Sequence, residues 1–351
     1  MRKKLNLIQF SRAFVPLLVL LFHANEFMLA YFNVNVLGFA VYTASGGVYY
    51  FFALSGFMVY YLYHEKFGNL QILKDFLFKR FIRIFPVYWI ITICVLPIFY
   101  FSSGFSHGTE KEVIKIITSF LLIPTGDEPI LGVAWSLVHT VFFYLMFSLL
   151  FLKNKTMIIV LHVIWTVISL LFSIGILSSS HFLINFLFNF NNIIFILGIA
   201  CAYFVLKFNL NQYLSFLLII LGMSGFPLAW FNSKYLWVDV SLQVVTTIAS
   251  TLLIIGFASI DLKKEFKIPK LAKYLGDASF SIYLIHKVAL SIICRILSSF
   301  LFFTTHYLVA NFIIIVFAIA AGCIVHTFIE KPMNIRLKKL LYQKQQIALF
   351  R

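Results

Sequence analysis

The sequence predicts an all-α fold: a polytopic transmembrane helical bundle with about ten spans and both termini on the cytoplasmic side. Three observations lead there. Of the 351 residues, 62% are hydrophobic and only 11% charged, with a mean hydropathy of +0.98. That leaves far too little polar surface to cover a water-soluble globule of this size. Ten apolar segments are each long enough to cross a hydrocarbon core roughly 30 Å thick. Lys and Arg alternate between crowded and nearly empty connections.

The segments lie near 8–30, 37–63, 84–102, 131–152, 156–177, 182–206, 211–231, 236–260, 277–303 and 307–329. The first follows MRKKLNLIQF and resembles a secretory signal. Its length, its internal Arg12 and His23, and the lack of a small-x-small cleavage site instead predict an uncleaved first span. The N-terminus, the connections after spans 2, 4, 6 and 8, and the C-terminal stretch hold 22 of the 28 basic residues. The opposite connections hold only Lys111, Lys115 and Lys234, while Arg12, Lys287 and Arg295 fall inside spans. The positive-inside rule therefore predicts N-in and C-in topology. Residues 1–335 read as one membrane-embedded domain and 336–351 as a basic cytoplasmic tail.

The net charge of +16 is accounted for by these flanking residues, which set topology and meet anionic lipid. Membrane lipid is thus an expected partner and nucleic acid is not. Cys94, Cys201, Cys294 and Cys323 all lie in apolar stretches and form no paired motif, so neither a disulfide framework nor a metal site is expected.

Polar residues inside the apolar segments carry the chemistry. On a helix advancing about 100° per residue, eleven steps return His23 to within roughly 20° of Arg12, with Glu26 about 40° to the other side. One face of span 1 thus holds Arg, His and Glu, with His23 about 16 Å deeper than Arg12. Ionisable groups at such depth are costly and mark functional positions. Histidine suits proton transfer at neutral pH, and either Glu26 or Glu330 is placed to serve as its carboxylate partner. His162 and His306 stand alone and read as structural. Asp277 and His286 in span 9 stay open between packing and catalysis.

Lys79, Arg80 and Arg83 precede span 3, where a helix N-terminus would add to their charge. They read either as topology anchors or as a site for a phosphorylated ligand. Ser45, Gly46, Gly47, Ser55 and Gly56 in span 2 allow close helix approach. In the connection 103–130, Glu110, Lys111, Glu112 and Lys115 precede Ile116, Ile117, Phe120 and Leu121. A short interfacial helix ending near Pro124 is expected, either roofing a cavity or resting on headgroups.

Six strings in order make the chain resemble the acyltransferase 3 family of integral-membrane O-acyltransferases. They are Arg12 with His23; GVYYFFALSGF at 47–57; Arg80, Arg83, Pro86, Tyr88 and Trp89; AWSL at 134–137 with FFYL at 142–145; LGDASFSIYLIH at 275–286; and FIEKP at 328–332. Two positions depart from the family pattern: Tyr49 and Thr140 stand where acidic residues are common. The resemblance implies transfer of an acyl group, expected to be acetyl, from acyl-CoA on the cytoplasmic side to a sugar hydroxyl. The acceptor would be a cell-surface polysaccharide or its lipid-linked precursor, at a bacterial inner membrane. No tightly bound cofactor is implied; acyl-CoA is a co-substrate. His23, Glu26 and Glu330 would be catalytic, and Arg12, Arg80 and Arg83 would hold the donor. Trp135, Ser136 and Tyr49 would meet the acceptor. The competing classes are a transporter or flippase for a lipid-linked glycan, which shares the architecture, and an inactive homologue.

Overall fold

A computed structural model of the chain describes residues 3–36, 45–101 and 112–349. Glu110, Lys111 and the first residues expected for span 2 lie outside these. The described residues form helices and connecting turns only. In chain order the helices are α1 (Asn6–Phe32), α2 (Gly47–Tyr63), α3 (Leu70–Phe101), α4 (Val113–Leu121), α5 (Trp135–Ser148), α6 (Lys155–Ser173), α7 (Phe182–Leu187) and α8 (Phe190–Lys207). There follow α9 (Gln212–Tyr235), α10 (Leu242–Lys263), α11 (Lys270–Ser298), α12 (Leu301–Thr305), α13 (Tyr307–Val325) and, after a π-helical turn at His326–Glu330, α14 (Lys331–Leu349).

Among the described residues, nine helical stretches have the length and apolarity to cross a membrane. The tenth expected span, α2, has 17 residues, about 25 Å of rise. It crosses nonetheless, because its two ends meet opposite ends of the bundle. Ser45, just before it, accepts a bond from Trp230 Nε1 (3.1 Å), and the Tyr61 hydroxyl near its end donates to the Lys3 carbonyl (2.9 Å). Its side chains are largely buried by protein, so its length need not match the lipid.

The basic connections gather at one end. Lys3 Nζ donates to the Leu262 carbonyl (3.0 Å), Asn6 to the Phe266 carbonyl (2.8 Å), and the Gly68 amide to the Leu150 carbonyl (2.9 Å). Helix α1 has no N-cap of its own; Asp261 of α10 accepts from the Leu7 amide (2.8 Å) and the Ile8 amide (3.1 Å). A carboxylate on those orphan donors fixes α1, and with it Arg12 and His23, against the bundle.

Helix α2 is central, and its contact with α8 depends on two glycines. A Cβ at Gly56 would run into the Phe195 carbonyl, and one at Gly198 into the Ala53 carbonyl. Only hydrogen at both positions lets the backbones approach this closely. Around this contact lies an aromatic core in which the Phe143 and Phe195 rings stack with centroids 4.3 Å apart. The α7–α8 break is closed by side chains: Trp165 Nε1 donates to the Leu187 carbonyl (2.7 Å), as does Asn192 Nδ2 (2.9 Å).

Helix α3 differs from expectation. It starts at Leu70 and runs through Lys79, Arg80 and Arg83, which stand inside the helix rather than before it. No helix N-terminus reinforces their charge. The extension is tolerated because these side chains line large polar cavities instead of lipid. The expected helix in the following connection is α4; it exposes Val113, Ile114, Ile117 and Leu121 to the surroundings and buries Ser119. It is strapped to α3 by Tyr88, whose hydroxyl donates to the Ser119 carbonyl (2.8 Å), and by Trp89, whose Nε1 donates to the Phe120 carbonyl (2.7 Å). The turn after α4 lines cavities at the end opposite the basic one, while α4 itself keeps an exposed apolar face, so it is the turn and not the helix that borders them.

Candidate active site

His23 and Glu26, one turn apart on α1, lie on a cavity of about 320 Å³ at the end remote from the basic connections. Tyr49 of α2, Glu128 and Gly132 of the α4–α5 connection, Trp135 of α5, and Tyr283 and Lys287 of α11 are among the other lining residues. His23 Nδ1 and Glu26 Oε2 are 2.5 Å apart. A carboxylate can only accept, so Nδ1 carries the proton and Nε2 is the basic nitrogen of the neutral ring. The His286 ring backs His23, with centroids 5.1 Å apart. His286 Nδ1 donates to the Tyr283 carbonyl (2.6 Å), and its Nε2 is enclosed without a partner. Tyr283 in turn donates to the Val133 carbonyl (2.7 Å) and pairs with Ser136 Oγ (2.8 Å), tying α11 to α5.

Towards the basic end, a narrower cavity of about 80 Å³ is lined by Arg12, Arg83, Ser136, Thr140, Tyr144, Ser279 and Tyr283, among others. The Arg12 guanidinium donates to Gln9 Oε1 (3.1 Å) and Ser279 Oγ (3.2 Å), while its Nε is enclosed and unpartnered. Both acceptors are neutral, so these bonds orient the cation without neutralising it. Gln9 is itself held by Asp277 (2.8 Å), which makes Asp277 a positioning group for Arg12.

Two larger cavities open at the basic end. One, about 430 Å³, is lined by Lys3, Lys4, Arg12, Arg83 and Lys273 with the single carboxylate Asp277. The other, about 560 Å³, carries Lys66, Lys79, Arg80, Arg83 and Lys338 with the single carboxylate Glu330. Such an excess of cations suits a polyanionic ligand. The buried Arg80 guanidinium sits over the rings of Tyr144 (5.1 Å), Phe76 (5.3 Å) and Tyr63 (5.9 Å). That aromatic seat orients its planar fork.

The cavities adjoin one another. Arg12, Arg83, Phe51, Ser55 and Tyr144 line both the 430 Å³ cavity and the narrow one, and Val48 and Tyr283 line both the narrow one and that of His23. A line of cavities thus follows α1 from Arg12 to His23, as their shared helical face implies. Tyr49 and Trp135 reach the His23 cavity and Ser136 the narrow one. Thr140 also lines the narrow cavity and bonds back to the Ser136 carbonyl (2.8 Å).

Glu330 does not join His23. The π-helical turn directs it to Ser281 Oγ (2.7 Å) and His326 Nδ1 (2.7 Å), beside the basic cavity, so Glu26 alone is the histidine's bonded carboxylate. The His162 ring nitrogens lie 2.8 Å from the Ile158 carbonyl and 3.1 Å from the Met146 carbonyl, one of which takes the neutral ring's single N–H, and His306 Nδ1 meets the Phe302 carbonyl (3.0 Å), matching their structural reading. Glu128, Lys287 and Ser279 had no sequence signal of their own beyond Lys287 being a charge within a span.

A helical membrane bundle that joins a cation-lined entrance to a histidine–carboxylate pair lining a cavity has the layout of a membrane-embedded group-transfer enzyme. Comparison with known families agrees: a family model described as an acyltransferase domain matches residues 6–327. The chain belongs to the acyltransferase 3 family. No curated protein and no solved structure gives a significant match to it.

Proposed function

We propose that the protein is an O-acetyltransferase of a bacterial inner membrane. It takes an acetyl group from acetyl-CoA at the cytoplasmic, basic end and passes it to a sugar hydroxyl of a surface polysaccharide or its lipid-linked precursor. The observation that carries this reading is the line of cavities from the cations of the basic end to His23. The phosphates of the donor lie among Lys3, Lys4, Arg80, Arg83 and Lys273, and the thioester arm extends past Arg12. The roughly 16 Å between Arg12 and His23 along α1 is a length that an extended phosphopantetheine arm spans.

The chemistry follows from the His23 cavity. The acceptor hydroxyl gives its proton to His23 Nε2 as its oxygen bonds to the thioester carbonyl carbon. Glu26 holds Nδ1–H and stabilises the imidazolium, and Lys287 faces the oxyanion that forms. Collapse of the tetrahedral intermediate breaks the C–S bond. The leaving sulfur takes the proton from Nε2, giving the ester and free CoA. Trp135 and Tyr49 line the route of the acceptor, and Ser136 lines the path of the thioester arm. The test is the ester content of surface polysaccharide from cells with and without the protein. A difference in acetyl ester supports transfer; equal content in both rejects it.

A further inference from the structure

A second cleft lies against the His23 cavity, on its far side from the donor. It measures about 190 Å³ and is lined by Pro124, Thr125, Asp127, Glu128, Trp135, His139, Phe182 and Phe186, among others. Trp135 and Glu128 line both spaces, so the cleft adjoins the cavity that holds His23. Its walls come from the α4–α5 turn, α5 and α7. The turn is held in place by the Ile130 amide, which donates to Ser119 Oγ (3.0 Å), and by the Ile123 amide, which donates to the Thr118 carbonyl (2.9 Å).

The chemistry of this cleft is distinctive. Its lining combines the aromatic rings of Trp135, Phe182 and Phe186 with Asp127, Glu128 and Thr125. His139 is only 9% exposed, its ring stacks on Phe186 with centroids 4.5 Å apart, and its Nδ1 is enclosed without a hydrogen-bond partner. Aromatic rings and carboxylates in one cleft suit a ligand ring with apolar C–H faces and hydroxyl edges. The volume is that of one sugar residue.

Resting on the acyltransfer reading above, we propose that this cleft binds the sugar next to the one being acylated. The acceptor is therefore an oligosaccharide or polymer rather than a single sugar. The two carboxylates make that neighbouring residue a neutral or amino sugar, since a uronic acid there would meet like charge. Asp127 and Glu128 accept its hydroxyl protons, the His139–Phe186 ring stack walls it in, and Phe182 and Trp135 cover its apolar face.

The test uses the full-length protein in lipid nanodiscs, labelled acetyl-CoA, and fragments of the producing cells' de-esterified surface polysaccharide sized into mono-, di- and trisaccharides. The unsubstituted protein should show kcat/KM rising on the order of tenfold from mono- to disaccharide and little beyond. That ratio is what one stacked ring or charge-assisted hydrogen bond provides. Asp127→Asn, Phe182→Ala and His139→Gln should each raise KM for the disaccharide with kcat within about twofold. Both Asp127 and Phe182 are exposed, so their variants leave the core intact even where His139→Gln does not fold. Transfer that is equally efficient at every length, or a disaccharide KM unmoved by the Asp127 and Phe182 variants, overturns the subsite and leaves acyltransfer standing. No transfer to any size class by the unsubstituted protein overturns the sugar-acceptor reading and the subsite with it.

Discussion

Glu26→Gln isolates what the carboxylate does for His23. The amide oxygen of glutamine still accepts the Nδ1 proton at the 2.5 Å contact, so the ring stays oriented and Nε2 stays basic. What disappears is the negative charge beside an imidazole that becomes positive in the transition state. A hydrogen bond to a charged group contributes about 1.5–3 kcal/mol. The Glu26 side chain is 44% exposed, so solvent screens it and the lower part of the range, about 1.5–2 kcal/mol, applies. At 1.36 kcal/mol per decade, kcat for acetyl transfer should fall about 10- to 30-fold. KM for acetyl-CoA should not move, because the donor's phosphates lie at the other end of the cavity line. Steady-state transfer from labelled acetyl-CoA to polysaccharide fragments measures both. An unchanged kcat, or a loss carried wholly by KM, refutes the view that Glu26 acts by charge on His23.

Three further outcomes follow from particular contacts. Arg83→Lys keeps the charge and loses the planar fork, so acetyl-CoA affinity measured by calorimetry should weaken on the order of tenfold while the protein still inserts; unchanged affinity would make Arg83 an anchor only. Gly56→Ala places a methyl group into the Phe195 carbonyl, backbone against backbone, and should cost about 3 kcal/mol, seen as a lower melting temperature in detergent; a wild-type melting curve would contradict the packing. In a cysteine-free background, an impermeant maleimide applied to whole cells should label Asp239→Cys and spare Lys264→Cys, and the reverse pattern would invert the orientation of donor and acceptor.

Much of the fold was legible because the physics is local. A run of apolar residues is a span whatever surrounds it, and even the 17-residue α2 was visible as one. The start of α3 was not: Lys79, Arg80 and Arg83 look like the end of an aqueous segment. Only the tertiary cavities that solvate them allow the helix to begin at Leu70. The shared face of Arg12, His23 and Glu26 could be read from helical period alone, and the line of cavities lies along it. The partner of Glu330 could not, since a single π-helical turn at His326–Glu330 redirects the carboxylate, and no residue pattern announces that turn. Glu128 reaches the His23 cavity from a turn whose path depends on Ser119, Tyr88 and Trp89, contacts between segments far apart in the chain. The carboxylates absent at positions 49 and 140 are not matched one for one. Glu128 supplies negative charge on the wall that Tyr49 shares, whereas Thr140 turns its hydroxyl back to its own helix.

The central claim is that His23 takes the acceptor's proton, and His23→Gln tests it most directly. Glutamine keeps hydrogen-bonding capacity at that position but accepts no proton at neutral pH. In nanodiscs holding equal amounts of folded protein, acetyl transfer from labelled acetyl-CoA should drop about 10²- to 10⁴-fold, with acetyl-CoA binding retained. Transfer within a few fold of the unsubstituted protein would contradict the account and make His23 a structural group.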